Sequence, residues 1–222
     1  ASEGPHPQRL VHQLILSPSR DAVVVADWAT EKSPRLGPLL VIGVPSGALL
    51  LDQGGERLGW EPTDWSLDGT SVLGVRKDWG DFANDGFSLF ALRGAKGGWT
   101  FRSPPGQTWF SRYAFLGKRG VFYRASRRPP DDANAPETSE IWYIPGPDGN
   151  PILVASGALM MSHAPGAVAK GGLYFTRDPE PTLYHLVEHD LSVQRVGELP
   201  GYGSGADISP DGRRALVLPG SD

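Results

Sequence analysis

The chain contains no cysteine, which excludes disulfides and thiolate metal sites and leaves the redox compartment open. It also lacks an apolar run long enough to cross a membrane as a helix. The most lipid-like segment, "LGPLLVIGVPSGALLL" (Leu36–Leu51), has 16 residues with Pro and Gly inside it, whereas a spanning helix needs about 20. A β-hairpin turning at Pro45-Ser46-Gly47 accounts for it better. Positive charge is not in excess. The formal net charge of −4 argues against nucleic acid or an anionic membrane as partner, because both call for concentrated Lys and Arg. Helical periodicity is missing too: no window of 12 or more residues shows it free of Gly or Pro. No G-x-S-x-G occurs, so there is no nucleophile elbow, and His6, His12 and His163 have no recognisable Ser or Cys partner.

What the chain does have is punctuation. Of 222 residues, 29 are Gly and 21 are Pro, nearly twice the usual share of roughly 12%. Gly and Pro break helices and shape turns, so many short strands are expected. The length is ample for a sizeable core. The opening "ASEG" suits a mature end left by signal cleavage, and equally a trimmed chain.

A repeat organises these strands. "DISPDGRRALVL" (Asp207–Leu218) joins a hydroxyl, a Pro, an Asp-Gly turn and an apolar run. With Ser209 as anchor, "LSPSRDAVVVA" aligns at Ser17 and "WSLDGTSVLGV" at Ser66 without gaps. "AFLGKRGVFYR" puts Phe115 at the anchor, and "GAVAKGGLYFT" puts Ala167 there. The intervals between anchors are 49, 49, 52 and 42 residues, a period that signals solenoids, propellers or arrays. Each interval also holds a second hairpin, such as "EIWYIP" and "PILVAS" around "GPDGN". Four antiparallel strands per 40–50 residues describe a propeller blade. The expected fold is all-β: a single β-propeller domain over 1–222. Its blades fall at approximately 11–58, 59–107, 108–158 and 159–202, with an incomplete fifth at 203–222. Residues Ala1–Leu10 are a candidate closing strand for that fifth blade; a larger ring or a partner that supplies the edge are the alternatives.

The pattern apolar-Ser-Pro-Asp-Gly followed by an apolar run resembles the WD40-like "PD40" repeat of TolB-type β-propellers. "ISPDGRRALVL" and "WSLDGTSVLGV" match it closely, and "LSPSRDAVVVA" follows it in part. The resemblance implies a propeller fold. It leaves activity open, because that family mixes scaffolds, translocation components and non-catalytic domains of peptidases. A periplasmic or cell-envelope location is what it implies.

Three segments mimic chemical motifs. "HLVEH" (His185–His189) fits the H-x-x-E-H zinc pattern, which works on a helix, where residues four apart share one face. On a strand the two rings stand about 13 Å apart, by a rise of roughly 3.4 Å per residue, so no metal is expected and a solvated strand end is. "GYGSGA" (Gly201–Ala206) fits a dinucleotide fingerprint, yet strand and turn follow it rather than a helix. An interblade loop is expected instead. "DWGDFANDG" (Asp78–Gly86) gathers oxygen ligands suited to Ca²⁺ without completing an EF-hand; ordinary Asn and Asp turn chemistry is the alternative.

One positional pattern remains. Ten residues after the anchors lie Asp27, Arg76, Ala125, Arg177 and Pro219, with Arg124 one place before Ala125. These strand ends are expected on one face of the ring. Arg76, Arg124 and Arg177, flanked by Trp79 and by Arg127-Arg128, then form a partner-binding patch, since Arg and Trp are favoured interface anchors. The alternative is that charged strand ends simply meet solvent. The loop "SRRPPDDANAPETSE" (Ser126–Glu140) is expected to be either a disordered tip or a contact arm. No cofactor and no catalytic residue is expected. The function this supports is a non-enzymatic protein-interaction scaffold, or a subunit of a larger cell-envelope assembly. The alternatives are the propeller portion of a serine peptidase, or a carbohydrate-acting propeller using channel carboxylates or a metal.

Overall fold

The computed structural model describes residues 10–28, 36–53, 59–77, 86–92, 100–102, 107–127, 138–161, 172–178, 180, 182–199, 205–209 and 214–218. Those residues form eighteen strands and no helix, so none of them makes a helix long and apolar enough to cross a membrane. Blade one holds β1 (Leu10–Leu16), β2 (Ala22–Trp28), β3 (Leu36–Gly43) and β4 (Leu49–Gln53). Blade two holds β5 (Gly59–Trp65), β6 (Ser71–Lys77), β7 (Gly86–Ala91) and β8 (Thr100–Arg102). Blade three holds β9 (Gln107–Leu116), β10 (Val121–Arg127), β11 (Thr138–Ile144) and β12 (Ile152–Ser156). Blade four holds β13 (Ala158–Met161), β14 (Gly172–Asp178), β15 (Thr182–Val187) and β16 (Val193–Glu198). A fifth sheet pairs β17 (Gly205–Ile208) with β18 (Ala215–Leu218). Neighbouring strands follow chain order and run antiparallel throughout, as in a propeller. The expected all-β propeller, with four full blades and part of a fifth, is what the chain forms. The "LGPLLVIGVPSGALLL" segment is the β3–β4 hairpin, in which the Gly43 amide donates to Ala48 O at 2.8 Å.

The anchor hydroxyls explain why the repeat recurs. Each accepts the amide five residues on: Ala22 N to Ser17 Oγ at 3.1 Å, Ser71 N to Ser66 Oγ at 2.9 Å, Arg214 N to Ser209 Oγ at 2.9 Å. Each anchor amide in turn donates to that residue's carbonyl, at 2.8–2.9 Å. The left-handed position falls three residues after the anchor, at Arg20 (φ 61°) and Gly69 (φ 68°). Gly takes it without a Cβ clash; Arg20 does not have that freedom.

The third repeat departs from the expected alignment. Leu116 pairs with Val121 across a four-residue turn, whereas Leu16–Val23, Trp65–Val72 and Ile208–Ala215 each enclose six residues. The anchor equivalent is therefore Gly117, whose amide donates to Gly120 O at 2.8 Å, and not Phe115. Residues 162–171, which include the fourth anchor Ala167, lie outside the described residues, as do Ala1–Arg9; Leu10 begins β1.

Strand alternation sorts each blade into two sides. On β10, Val121, Tyr123 and Ala125 join Leu73, Val75 and Phe87 in the core between blades two and three. Phe122 on the other side joins Leu173, Phe175 and Leu186 of blade four. Ile15, Val24, Leu39 and Val41 meet Trp65 and Val72 between blades one and two. Blades two and three thus each bury one side against the predecessor and the other against the successor. Gly74 shows how close the approach is: a Cβ there would lie 2.9 Å from the Phe90 ring and 3.2 Å from Leu39 Cδ1.

Candidate functional site

The second strand of each blade runs away from the anchor turn, so the C-terminal ends of β6, β10 and β14 share the opposite rim. Arg76 sits near the end of β6, opposite Trp60 and Gly86. Arg124 and Arg127 lie on β10, opposite Ile141 and Thr138. Arg177 lies on β14, opposite Leu159. Trp79, Arg128 and the Asp78–Asp85 part of the acidic segment fall outside the described residues.

Alternation refines the patch. The β10–β11 register is unbroken from Val121 to Arg127, so Arg124 lies on the side of Phe122, facing blade four. The β14 register is unbroken as well, so Arg177 lies on the side of Leu173 and Phe175, facing blade three. The two guanidiniums therefore belong to one seam. The backbone closes the same seam, because Gly157 N donates to Ser139 O at 2.9 Å just before β13 begins. Arg124 Nη2 donates to Ser139 Oγ at 2.9 Å. Arg177 lies over the Tyr184 ring, 5.0 Å from its centroid, and that ring stacks on Phe175 at 5.4 Å. The Tyr184 hydroxyl donates to Glu180 Oε2 at 2.9 Å. That bond, followed by desolvation and the Glu180 charge, holds its pKa above the ordinary tyrosine value. Ser126 occupies the same side of β10 and is buried. Among the described residues, Ser126 Oγ and Arg177 Nε have no hydrogen-bond partner. Among the described residues the seam offers positive charge and hydroxyl groups. Ser126 and Ser139 were absent from the sequence candidates; the spacing 122-124-126 on a strand was the available signal.

The motif mimics resolve as follows. His185 lies on β15, as expected for a strand, and stacks on Tyr174 with ring centroids 4.4 Å apart. Burial holds its pKa below the ordinary 6.5. Glu188 corrects the expectation of a solvated strand end, because it is buried. Its carboxylate accepts the Lys118 and Arg119 amides, each at 2.8 Å, and the Tyr143 hydroxyl at 3.2 Å. Burial foremost, then this carboxylate, pushes the Tyr143 phenol above its ordinary pKa, against a smaller opposing effect of Arg119. Gly117 makes room: a Cβ there would lie 2.4 Å from Glu188 Oε1. Asp64 does the same between blades two and three, accepting Trp65 N at 2.8 Å and Leu116 N at 2.9 Å. Trp65 Nε1 ties blade two to blade one through Ile15 O at 3.1 Å. Among the described residues no group of three His, Asp or Glu is placed to hold a metal. The "GYGSGA" segment ends in strand, since β17 begins at Gly205. The long polar loop is shorter than expected: β10 reaches Arg127 and β11 starts at Thr138, leaving 128–137 outside the described residues.

On the anchor-turn face, a cleft of about 520 Å³ opens between blades one and two. Asp21 and Asp68 line it, and each is held by its own turn. Asp21 Oδ1 accepts the Ser17 hydroxyl at 3.0 Å. Asp68 Oδ1 accepts Ser66 Oγ at 2.7 Å, Thr70 N at 3.0 Å and Thr70 Oγ1 at 2.8 Å. Those bonds, Ser66 first, hold the Asp68 pKa below the ordinary 3.8.

No protein-family model matches the chain, and no curated protein matches it in sequence. Solved structures do match its fold. An oligogalacturonate lyase in complex with manganese is similar with a TM-score of 0.57 at 14% identity over 94% of this chain. A study of two prolyl endopeptidases gives 0.55 at 13% identity over 96%. TolB from Acinetobacter baumannii gives 0.50 at 12% over 93%. The chain spans 58% of the lyase, 36% of the endopeptidase and 48% of TolB. At these identities the likeness is one of fold.

Proposed function

We propose that the chain is a non-enzymatic interaction propeller, a scaffold or a subunit of a larger cell-envelope assembly, built on PD40-type repeats. Its recognition surface is the Arg124–Arg177 seam, with Arg76 and Arg127 at strand ends of the same rim; Trp79 and Arg128 of the expected patch lie outside the described residues. The observation that carries this reading is the placement of two guanidiniums from different blades at one seam beside hydroxyls and an aromatic ring. Arg in such settings anchors protein interfaces. The buried carboxylates Asp64 and Glu188 are engaged by backbone amides, which supports a structural role for them over a chemical one. In this reading 1–222 is one propeller domain, its partner is a protein that also completes the fifth sheet, and the resemblance to TolB-type repeats supports a periplasmic location.

The test is a photo-crosslinking residue at position 177, with position 196 on the outer strand β16 as control. A discrete protein adduct at 177 alone supports the reading, and Arg76→Glu with Arg177→Glu then weakens that binding without lowering the melting temperature. An adduct pattern identical at both positions contradicts it. A second reading, the propeller portion of a serine peptidase, draws on the likeness to the prolyl endopeptidases. A longer native polypeptide carrying G-x-S-x-G would favour it.

A further inference from the structure

The Arg124–Arg177 seam holds donors that the described residues leave unused. Ser126 stands on β10 opposite Ser139 of β11, two places beyond Arg124. Residues directly opposite, or two apart on one strand, share a side, so Ser126, Arg124 and Ser139 all face blade four. Ser126 is only 2% exposed, and its Oγ has no hydrogen-bond partner among the described residues. Arg177 comes from the opposite wall of the seam. Its Nε–H is likewise buried and has no partner among them. Dry, unpaired polar groups are unfavourable, so the pair singles out a place for an acceptor from outside the chain. A neighbouring arginine shows the contrast. Arg195 on β16 lies opposite Tyr184, and its Nη2 meets Glu198 Oε1 at 2.7 Å; no acid pairs with Arg177 among the described residues.

We propose that the seam takes the carboxylate of an acidic side chain from a protein partner. A guanidinium is planar, and its Nε–H and one Nη–H form a fork that a carboxylate accepts with both oxygens. The Tyr184 ring, 5.0 Å from the Arg177 guanidinium and stacked on Phe175, holds that fork in place. Ser126 Oγ–H donates to one of the same two oxygens. Arg124, whose Nη2 donates to Ser139 Oγ at 2.9 Å, adds a second positive charge. The rim's own acid favours a singly charged group. Glu180 accepts the Tyr184 hydroxyl at 2.9 Å, and its charge opposes a phosphate dianion more than a carboxylate. The Gly157–Ser139 backbone bond ties the two walls together, which suits entry by one side chain better than by a chain terminus. The inference rests on the reading of this seam as the recognition surface.

The experiment is heteronuclear NMR of the full chain, following the Arg177 Nε–H resonance, which is assigned by its absence in Arg177→Lys. The probe is N-acetyl glutamate α-amide, titrated to about 50 mM at fixed ionic strength, enough to saturate a millimolar contact. A saturable shift of that resonance is expected, and none with the neutral N-acetyl glutamine α-amide. Ser126→Ala raises the probe's dissociation constant about tenfold. It does not lower the melting temperature, because it removes a buried hydroxyl and no bond. Arg177→Lys keeps the charge but loses the fork, and abolishes the response read at the Ser126 amide. No shift, an equal shift with the glutamine probe, or tighter binding of inorganic phosphate or of N-acetyl dialanine with its free C-terminus would overturn the proposal. A protein adduct at position 177 with an unmoved resonance would overturn the carboxylate and leave the docking surface standing. A moved resonance with no adduct would do the reverse.

Discussion

Leu116 and Leu16 hold one repeat position and meet different fates. Leu116 ends β9 under the cover of blade two, its amide held by Asp64 and its side chain in the core with Val121 and Phe87. Leu16 ends β1 in the same register, with its side chain in solvent. The same local pattern, apolar run then hydroxyl turn, builds both. What differs is the neighbour. Local sequence sets the strand and the turn, while burial is set by the blade that arrives next to it.

The comparison can be broken most severely at Trp65, the third residue at that position. It is fully buried and bonded to Ile15 O. Trp65→Ala is expected to cost about 4 kcal/mol in urea denaturation, because it empties the seam between blades one and two and removes that tie. A loss no larger than that of an exposed substitution would show that the blades do not stack as described. Next comes the lock itself. Asp64→Ala leaves the Leu116 and Trp65 amides buried without their acceptor, and is expected to cost about 2 kcal/mol, whereas Asp64→Asn loses less because one oxygen remains. A loss for Asp64→Ala with none for Asp64→Asn, which keeps the side chain's volume, would assign the effect to packing instead.

A smaller effect is expected at His185 on β15. Burial against Tyr174 lowers the His185 pKa from its ordinary 6.5 in the folded protein. Its unfolded form binds a proton first as pH falls. The stability it contributes is complete above pH 6.5 and is lost as pH drops through the lowered folded value. His185→Phe is expected to flatten that part of the stability–pH curve, and an unchanged slope would place the titration elsewhere.

Much of this organisation was legible in the sequence, for a physical reason. Ser17, Ser66 and Ser209 bond to an amide only five residues away, so the whole interaction fits inside one motif. Glu188 was not legible, because its partners Lys118 and Arg119 lie about seventy positions earlier and meet it only once blades three and four are stacked. The third anchor was displaced because its turn is two residues shorter, which an ungapped alignment cannot absorb. The shared interval places the arginines on one rim. The period of two then brings Arg124 and Arg177 to one seam, since Arg124 turns toward blade four while its neighbour Ala125 turns toward blade two. Asp64 carries no such local signal, because it stands just before the "WSLDG" motif and its role depends on an amide in the following blade.

The most direct test of this account pairs the two equivalent leucines in equilibrium denaturation in dilute solution. Leu116→Ala is expected to lose about 3 kcal/mol, and Leu16→Ala to stay within about 0.5 kcal/mol of the parent. That outcome would confirm that one repeat position is core in blade three and open surface in blade one. Equal losses at the two positions would contradict the stacking order from which the seam, the locks and the exposure of Leu16 all derive.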